Sequence, residues 1–375
     1  MDPQRLSRRD WLKLGAVGVA GLSGAKVLDL AARGGAREAM AAAGVLPADR
    51  APAARFPAQE RVPTPHGGSV HAAPAGQGVV GSVRREGEFD PEAFLTYFDY
   101  GEASTSAAGR TVRSWEIIAV DREIEVAPGV WFPAWTYNGQ VPGPTLRCTE
   151  GDLLRVEFVN AGSHPHTIHF HGTHPPAMDG VSPLVHPGER FTYEFEAKPF
   201  GLHLYHCHTL PLKRHIHKGL YGAFIVDPPE GRAPAREMVM VMNGFDTNFD
   251  GDNEVYAVNT MAFYHQEIPI RVGVGDTCRV YLVNATEFDP INSFHLHAAM
   301  FRVHRTGTRL DGDELTDTIM MCQGERHILE FELENPGMHM FHAHQSEFAE
   351  LGWMGFFEAV EGLAAGDGVP VRPHV

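Results

Sequence analysis

The chain has 375 residues, 43% of them hydrophobic, with 40 Gly and 27 Pro, enough for two domains whose turns come often and whose helices are short. A net charge of −16 argues against nucleic acid as a partner. Four cysteines (Cys148, Cys207, Cys278 and Cys322) are too few to staple a chain of this length, which excludes a disulfide scaffold.

In chain order, the N-terminus reads as an address. In "SRRDWLKLGAVGVAGLSGA", paired Arg8 and Arg9 precede a Gly- and Ala-rich apolar run, which resembles a twin-arginine export signal over residues 1–43. Its cleavage is expected near "AAAG" at 41–44, leaving a periplasmic or extracellular protein. The run is broken by glycines and soon meets Lys26 and Asp29, so no stable membrane span is expected. Residues 44–104 read as an N-terminal arm. From Gly44 to about Glu88 it is rich in Ala, Pro and Gly without periodicity, and regular structure is not expected there.

The remainder repeats itself. One copy runs "EGDLLRVEFVNAGSHPHTIHFHG", "HPGERFTYEFEAKPFGLHLYHCH", "GLYGAFIVDP"; the other runs "VGDTCRVYLVNATEFDPINSFHLHA", "CQGERHILEFELENPGMHMFHAH", "GWMGFFEAVE". Two copies mean a duplicated domain, placed at 105–230 and 235–362, with "DPPEGRAPAR" as the linker. Stretches such as "LLRVEFVN" and "HILEFELE" alternate apolar and polar residues. That pattern predicts antiparallel strands, hence an all-β chain of two Greek-key β-sandwich domains.

Nineteen of the 22 histidines lie between His164 and His344. Four His-x-His pairs sit at matched positions: His169/His171, His206/His208, His295/His297 and His342/His344. In a strand, i and i+2 share a face, so each pair presents two imidazoles side by side. Eight imidazoles exceed what one metal ion can use, and imidazole suits copper. Cys207, between His206 and His208, points to the opposite face. A thiolate with two imidazoles is the ligand set of a blue copper site, and His166 and His215 are the candidates to complete it. The other three cysteines are expected to be buried thiols, with one disulfide among them left open.

These motifs resemble the multicopper oxidases, in particular the two-domain, laccase-like branch with its blue copper in the first domain. The resemblance covers about residues 110–360 and rests on "HTIHFHG…MDGVSP", "HLYHCH", "NSFHLHA" and "MFHAHQSE…GWMG". It implies cupredoxin-like domains and four coppers per chain. His166, Cys207 and His215 would hold the type 1 copper, and His169 and His295 the type 2 copper. His171, His206, His208, His297, His342 and His344 would hold the type 3 pair. The resemblance further implies O2 and a small reducing substrate as partners, and a homotrimer with each trinuclear cluster at a subunit interface. Asp179 matches the family's carboxylate near the type 2 copper, and Glu347 is a second candidate acid. The second copy carries Asn292, Ala343 and Phe348 where the first has His166, Cys207 and His215, so one blue site per chain is expected. At the axial position, five residues after His215, stands Leu220, which cannot coordinate; weaker axial ligation raises the potential. His217 breaks that spacing and reads as a supporting or surface residue.

Two other readings compete. A copper nitrite reductase shares the duplicated fold, but that family has Asp where this chain has His169, and a small residue where it has His208. A non-catalytic copper-binding protein of the cell envelope requires neither eight imidazoles at duplicated strand positions nor a cysteine joined to them.

Overall fold

The computed structural model describes residues 89–312 and 314–372; the expected export signal and most of the arm lie outside the described residues. Four sheets form two sandwiches. In the first, β1 (Glu102–Thr105), β2 (Thr111–Ala127), β3 (Val130–Tyr137), β5 (Leu153–Asn160) and β7 (Arg190–Glu196) make one sheet. The other holds β4 (Leu146–Thr149), β6 (His169–Phe170), β8 (Gly201–His206) and β9 (Tyr221–Asp227). The second sandwich has one sheet of β10 (Ala235–Phe245), β11 (Val255–Val258), β13 (Cys278–Asn284), β15 (Phe301–Arg305), β16 (Glu314–Thr316), β18 (Arg326–Phe331) and β21 (Val371–Arg372). Its other sheet is β12 (Ile270–Gly273), β14 (Ile291–Leu296), β17 (Thr318–Cys322), β19 (Gly337–His342) and β20 (Met354–Val360).

The alternation seen in sequence is the burial pattern of β5, where Leu154, Val156, Phe158 and Asn160 point inward. Pairing is not purely antiparallel, however. β2 runs parallel to β5 and β4 to β9, and the second half repeats this with β10 beside β13 and β12 beside β20. Greek-key crossovers bring sequence-distant strands together in the same direction, which local alternation does not report. The duplication is therefore one of register as well as residue: His169 pairs across to His206, and His295 to His342.

Order also reaches into the end of the arm. Helix α1 (Pro91–Thr96) starts at Asp90, whose carboxylate accepts from the amides of Glu92 and Ala93. It buries Phe94 and Leu95 in a core cluster otherwise built mainly from the second sandwich. That cluster also takes Leu202, Leu204, Tyr221, Ala223 and Ile225 from the first sandwich, so apolar packing runs across the junction. β9 and β10 are buried along their whole length, which explains the near-continuous apolar run "EMVMVM". At the same junction a buried ion network forms. Arg147 clamps Asp227 (2.7 and 3.0 Å) and reaches Glu237 (2.5 Å), which also receives Arg279 (2.9 Å) and the Tyr281 hydroxyl (2.7 Å).

Candidate metal centre

β8 ends at His206, and the chain leaves it as Cys207-His208 before turning into helix α2 (Leu212–His217). The backbone amide of Cys207 donates to the Leu220 carbonyl (3.0 Å), fixing this exit against the return strand. On one side of the strand, Cys207 meets His166 and His215, all three buried. The Cys207 Sγ lies 3.3 Å from His215 Nδ1 and 3.9 Å from His166 Nδ1, and the two Nδ1 atoms are 3.2 Å apart. The Thr167 amide donates to the sulfur (3.4 Å). Burial lowers His166 to about 3 and His215 to about 4, which keeps both imidazoles neutral with lone pairs available. Burial alone pushes the Cys207 thiol up; a bound cation reverses that, since a coordinating thiol is deprotonated. Two neutral imidazoles and one thiol converging in an apolar pocket, with Leu220 fully buried nearby in the same core cluster, fit a copper ion better than a hard cation.

On the other side lie His169, His171 and His206, with the His208 ring 5.4 Å from that of His169. The Nε2 atoms of His171 and His206 face each other at 3.1 Å. Two back nitrogens that would otherwise compete are engaged: His169 Nδ1 donates to the Asp179 carbonyl (2.7 Å) and His206 Nδ1 to the Cys207 carbonyl (3.0 Å). That fixes the tautomer which leaves Nε2 as the ligand atom. Burial first, then the neighbouring His206, lowers His171 to about 2. The Asp179 carboxylate stands 3.2 Å from His169 Nδ1 and lines an open cleft of about 570 Å³ above the cluster.

The second sandwich repeats the arrangement. His297 and His342 Nε2 are 3.0 Å apart, His342 Nδ1 donates to the Ala343 carbonyl (2.7 Å), and the His344 ring is 5.3 Å from that of His295. The supporting hydroxyls correspond as well: the His208 amide donates to Thr167 Oγ1 (3.2 Å), and the His344 amide to Ser293 Oγ (2.7 Å). The Cys207, His166 and His215 triad does not recur. Asn292 is buried and donates to Thr286 (3.1 Å), and Phe348 stacks on Tyr256. Trp353, at the position of Leu220, is fully buried against Phe294 and Phe341. An amide and apolar bulk therefore occupy the second half where the first has the triad. Each imidazole group is built within one half of the chain, and His297 and His344 are exposed.

Several features were not legible in sequence. His295 Nδ1 is held by the Asp317 carbonyl and Thr318 Oγ1, both at 2.8 Å. This is the counterpart of the Asp179 carbonyl at His169, but Asp317 lies 22 residues after its histidine and Asp179 only 10, so aligning the repeat does not find it. Arg326 of β18 crosses to the first sandwich, donates to the Leu202 carbonyl (3.1 Å) and lines the cleft beside His171. His217 is neither a ligand nor a surface residue: it is buried between Phe132 and Phe288, and its Nε2 accepts the Asp246 amide (2.9 Å). Glu347 sits half-buried in helix α3 (Ser346–Glu350), three residues beyond His344. All four cysteines are free. Cys148 and Cys278 are buried thiols as expected, whereas Cys322 is exposed at the end of β17.

Two multicopper oxidase family models match the chain, over residues 121–231 and 232–362. A solved multicopper oxidase is 56% identical, with a TM-score of 0.71 over 72% of this chain and 97% of that one. The blue copper oxidase of Nitrosomonas europaea is 28% identical, with a TM-score of 0.60 over 66% of this chain and 86% of that one. The copper-containing nitrite reductase of Neisseria gonorrhoeae is 29% identical over 239 residues, which is 58% of this chain and 60% of that relative's length. A copper-dependent oxidoreductase fold of two cupredoxin-like sandwiches is thus defined. The chain belongs to the multicopper oxidase family.

Proposed function

We propose that this protein is a laccase-like oxidase that couples one-electron oxidation of small donors to the four-electron reduction of O2 to water. The observation that carries the reading is the double role of the Cys207 segment. Cys207 belongs to the buried triad with His166 and His215, while its neighbours His206 and His208 belong to the imidazole group on the opposite face. One residue of backbone then connects an electron-accepting site to an O2-reducing one. Copper held by the triad would take up electrons singly, and copper held by His169, His171, His206, His208, His295, His297, His342 and His344 would bind and reduce O2.

The protein's own groups do the rest. The Asp179, Cys207, Asp317 and Ala343 carbonyls hold imidazole tautomers so that ligation costs little reorganisation. Four protons accompany four electrons, and the Asp179 carboxylate in the cleft is placed to deliver them; Glu347 is the second acid in the proposal. Because each half-site is internal to one sandwich and the second is open to solvent, we assign the complete cluster to an interface between copies in a homotrimer. Phenols, aromatic amines or reduced metal ions are the proposed donors, and a periplasmic or extracellular location is proposed from the resemblance of residues 1–43 to a twin-arginine signal. No helix among the described residues is long and apolar enough to cross a membrane.

Nitrite reduction is the second reading, favoured by the identity to the Neisseria gonorrhoeae enzyme. Copper per chain and O2 uptake separate the two. About four coppers with donor-dependent O2 consumption is the expected result. About two coppers with nitrite consumption and no O2 uptake would overturn the assignment.

A further inference from the structure

We propose that the face over Trp135 is the electron-donor site and that Arg214 and Lys218 make it selective for small anionic aromatic donors. The inference rests on the oxidase reading above and names the substrate class of its electron-accepting site.

Trp135 is the ring that borders the triad. Its centroid is 4.8 Å from the His215 ring and 5.2 Å from the His166 ring, with His164 at 4.5 Å. Two cations converge on the same indole: the Arg214 guanidinium carbon at 5.3 Å and the Lys218 ammonium at 5.8 Å. The ammonium also lies 4.9 Å from the Phe132 centroid and 5.3 Å from that of Phe249. Lys218 is only 8% exposed, yet among the described residues no carboxylate comes within ion-pair distance of it or of Arg214.

Like charges gathered on one apolar face repel each other, and ring faces offset this only in part. Burial first, then Arg214, pulls the Lys218 ammonium down to about 8, the sign of a cation short of a partner. The surrounding charges do not cancel the pair. Asp121 favours the Lys218 charge from a distance but is engaged by Ser163. Lys213 adds a third cation over Phe288 (4.1 Å), near Glu287. An anion on this face restores the missing neutralisation. Phe249, 57% exposed, gives its aromatic body an apolar wall. Trp135, itself only 5% exposed, lies between a donor so placed and the triad histidines His166 and His215. Each donor would give one electron to copper held by the triad and, if phenolic, one proton to solvent. Four donors then balance one O2 reduced to two waters.

The test is calorimetric titration of the copper-loaded protein with naphthalene-2-sulfonate, which is not a donor, against neutral naphthalene-2-methanol. The sulfonate is expected to bind about tenfold tighter than the alcohol, and Arg214→Gln or Lys218→Gln to weaken it about tenfold each. Arg214→Glu, at an exposed position, keeps the test valid if the Lys218 variant fails to fold; blue absorbance and copper content report folding. In turnover, the ratio of KM for a sulfonated phenol to KM for its neutral parent is expected to rise in the variants. Equal binding of sulfonate and alcohol, or sulfonate binding unchanged in both Arg214 variants, would overturn the proposal. So would Arg214-dependent binding of an acidic redox protein with no binding of the sulfonate. If sulfonate binding depends on both cations but no donor drives O2 uptake, the oxidase reading fails and the anion site stands. If O2 uptake proceeds with equal KM for charged and neutral donors, the oxidase reading stands and the anion site falls.

Discussion

Replacing Glu237 by Gln tests how the two sandwiches are held together. The Glu237 carboxylate is buried among Arg147 Nη1 (2.5 Å), Arg279 Nη1 (2.9 Å) and the Tyr281 hydroxyl (2.7 Å). Burial pushes its pKa up, but the two guanidinium groups and the hydroxyl override that and hold it at about 2, against an ordinary 4.5. A depression of that size corresponds to roughly 3 kcal/mol favouring the charged, folded state. Removing the charge leaves Arg147 with Asp227 and Arg279 with Glu330, so neither guanidinium is orphaned. The loss then belongs at the low end of the range for breaking a buried ion pair, also about 3 kcal/mol. The sign with pH follows. A depressed carboxylate contributes its full stability above its unfolded pKa, near 4.5, and loses it as pH falls toward 2. Urea unfolding of both proteins at pH 7, 5 and 3 checks this. The deficit of Glu237→Gln is expected to be largest at pH 7 and 5 and clearly smaller at pH 3. A deficit that does not change with pH, or one below about 1 kcal/mol at pH 7, would refute the reasoning.

Other perturbations read different links. Cys207→Ser removes the thiolate of the triad: blue absorption is expected to vanish and one copper per chain to be lost, with the remainder retained. Loss of all copper would instead tie the imidazole sites to the triad. His171→Ala and His297→Ala disable opposite half-sites. Each alone is expected to lack O2 uptake, and co-assembly of the two chains to restore part of it if complete clusters form between copies; no recovery in mixed oligomers counts against that arrangement. Glu254 is raised to about 7 by burial, with Asp246 and Asp250 adding to the effect. A raised carboxylate stabilises the fold at low pH and costs stability as pH rises from about 4.5 through 7. Glu254→Gln should therefore match the wild type at pH 4 and unfold at higher urea at pH 8; a lower midpoint at pH 8 would contradict this.

Much of the candidate site is local and so was readable in the chain. The two-residue period of a strand alone places His206 and His208 on one face and Cys207 on the other, and the structure keeps that separation. Comparing the two copies identifies Asn292, Ala343 and Phe348 as the counterparts of His166, Cys207 and His215, because duplicated strands keep their register. His215 was distinguished from His217 by spacing, and the structure brings His215 to the sulfur while His217 faces the other sandwich.

What the chain alone could not determine depends on contacts between distant residues. The parallel pairs β2/β5 and β10/β13 come from crossovers that no local alternation records. Helix α1, just beyond the stretch of the arm expected to lack regular structure, is held by apolar packing on the second sandwich. Asp317 and Arg326 reach their histidines through β17 and β18, across tens or more than a hundred residues of chain. The cations on Trp135 come together because a short helix folds back over β3, whose Trp135 amide donates to the Lys218 carbonyl (2.8 Å). Residue type and strand period fix which atoms can ligate. Only closure of the sandwiches, driven by burial of apolar surface over long sequence separations, decides what surrounds them.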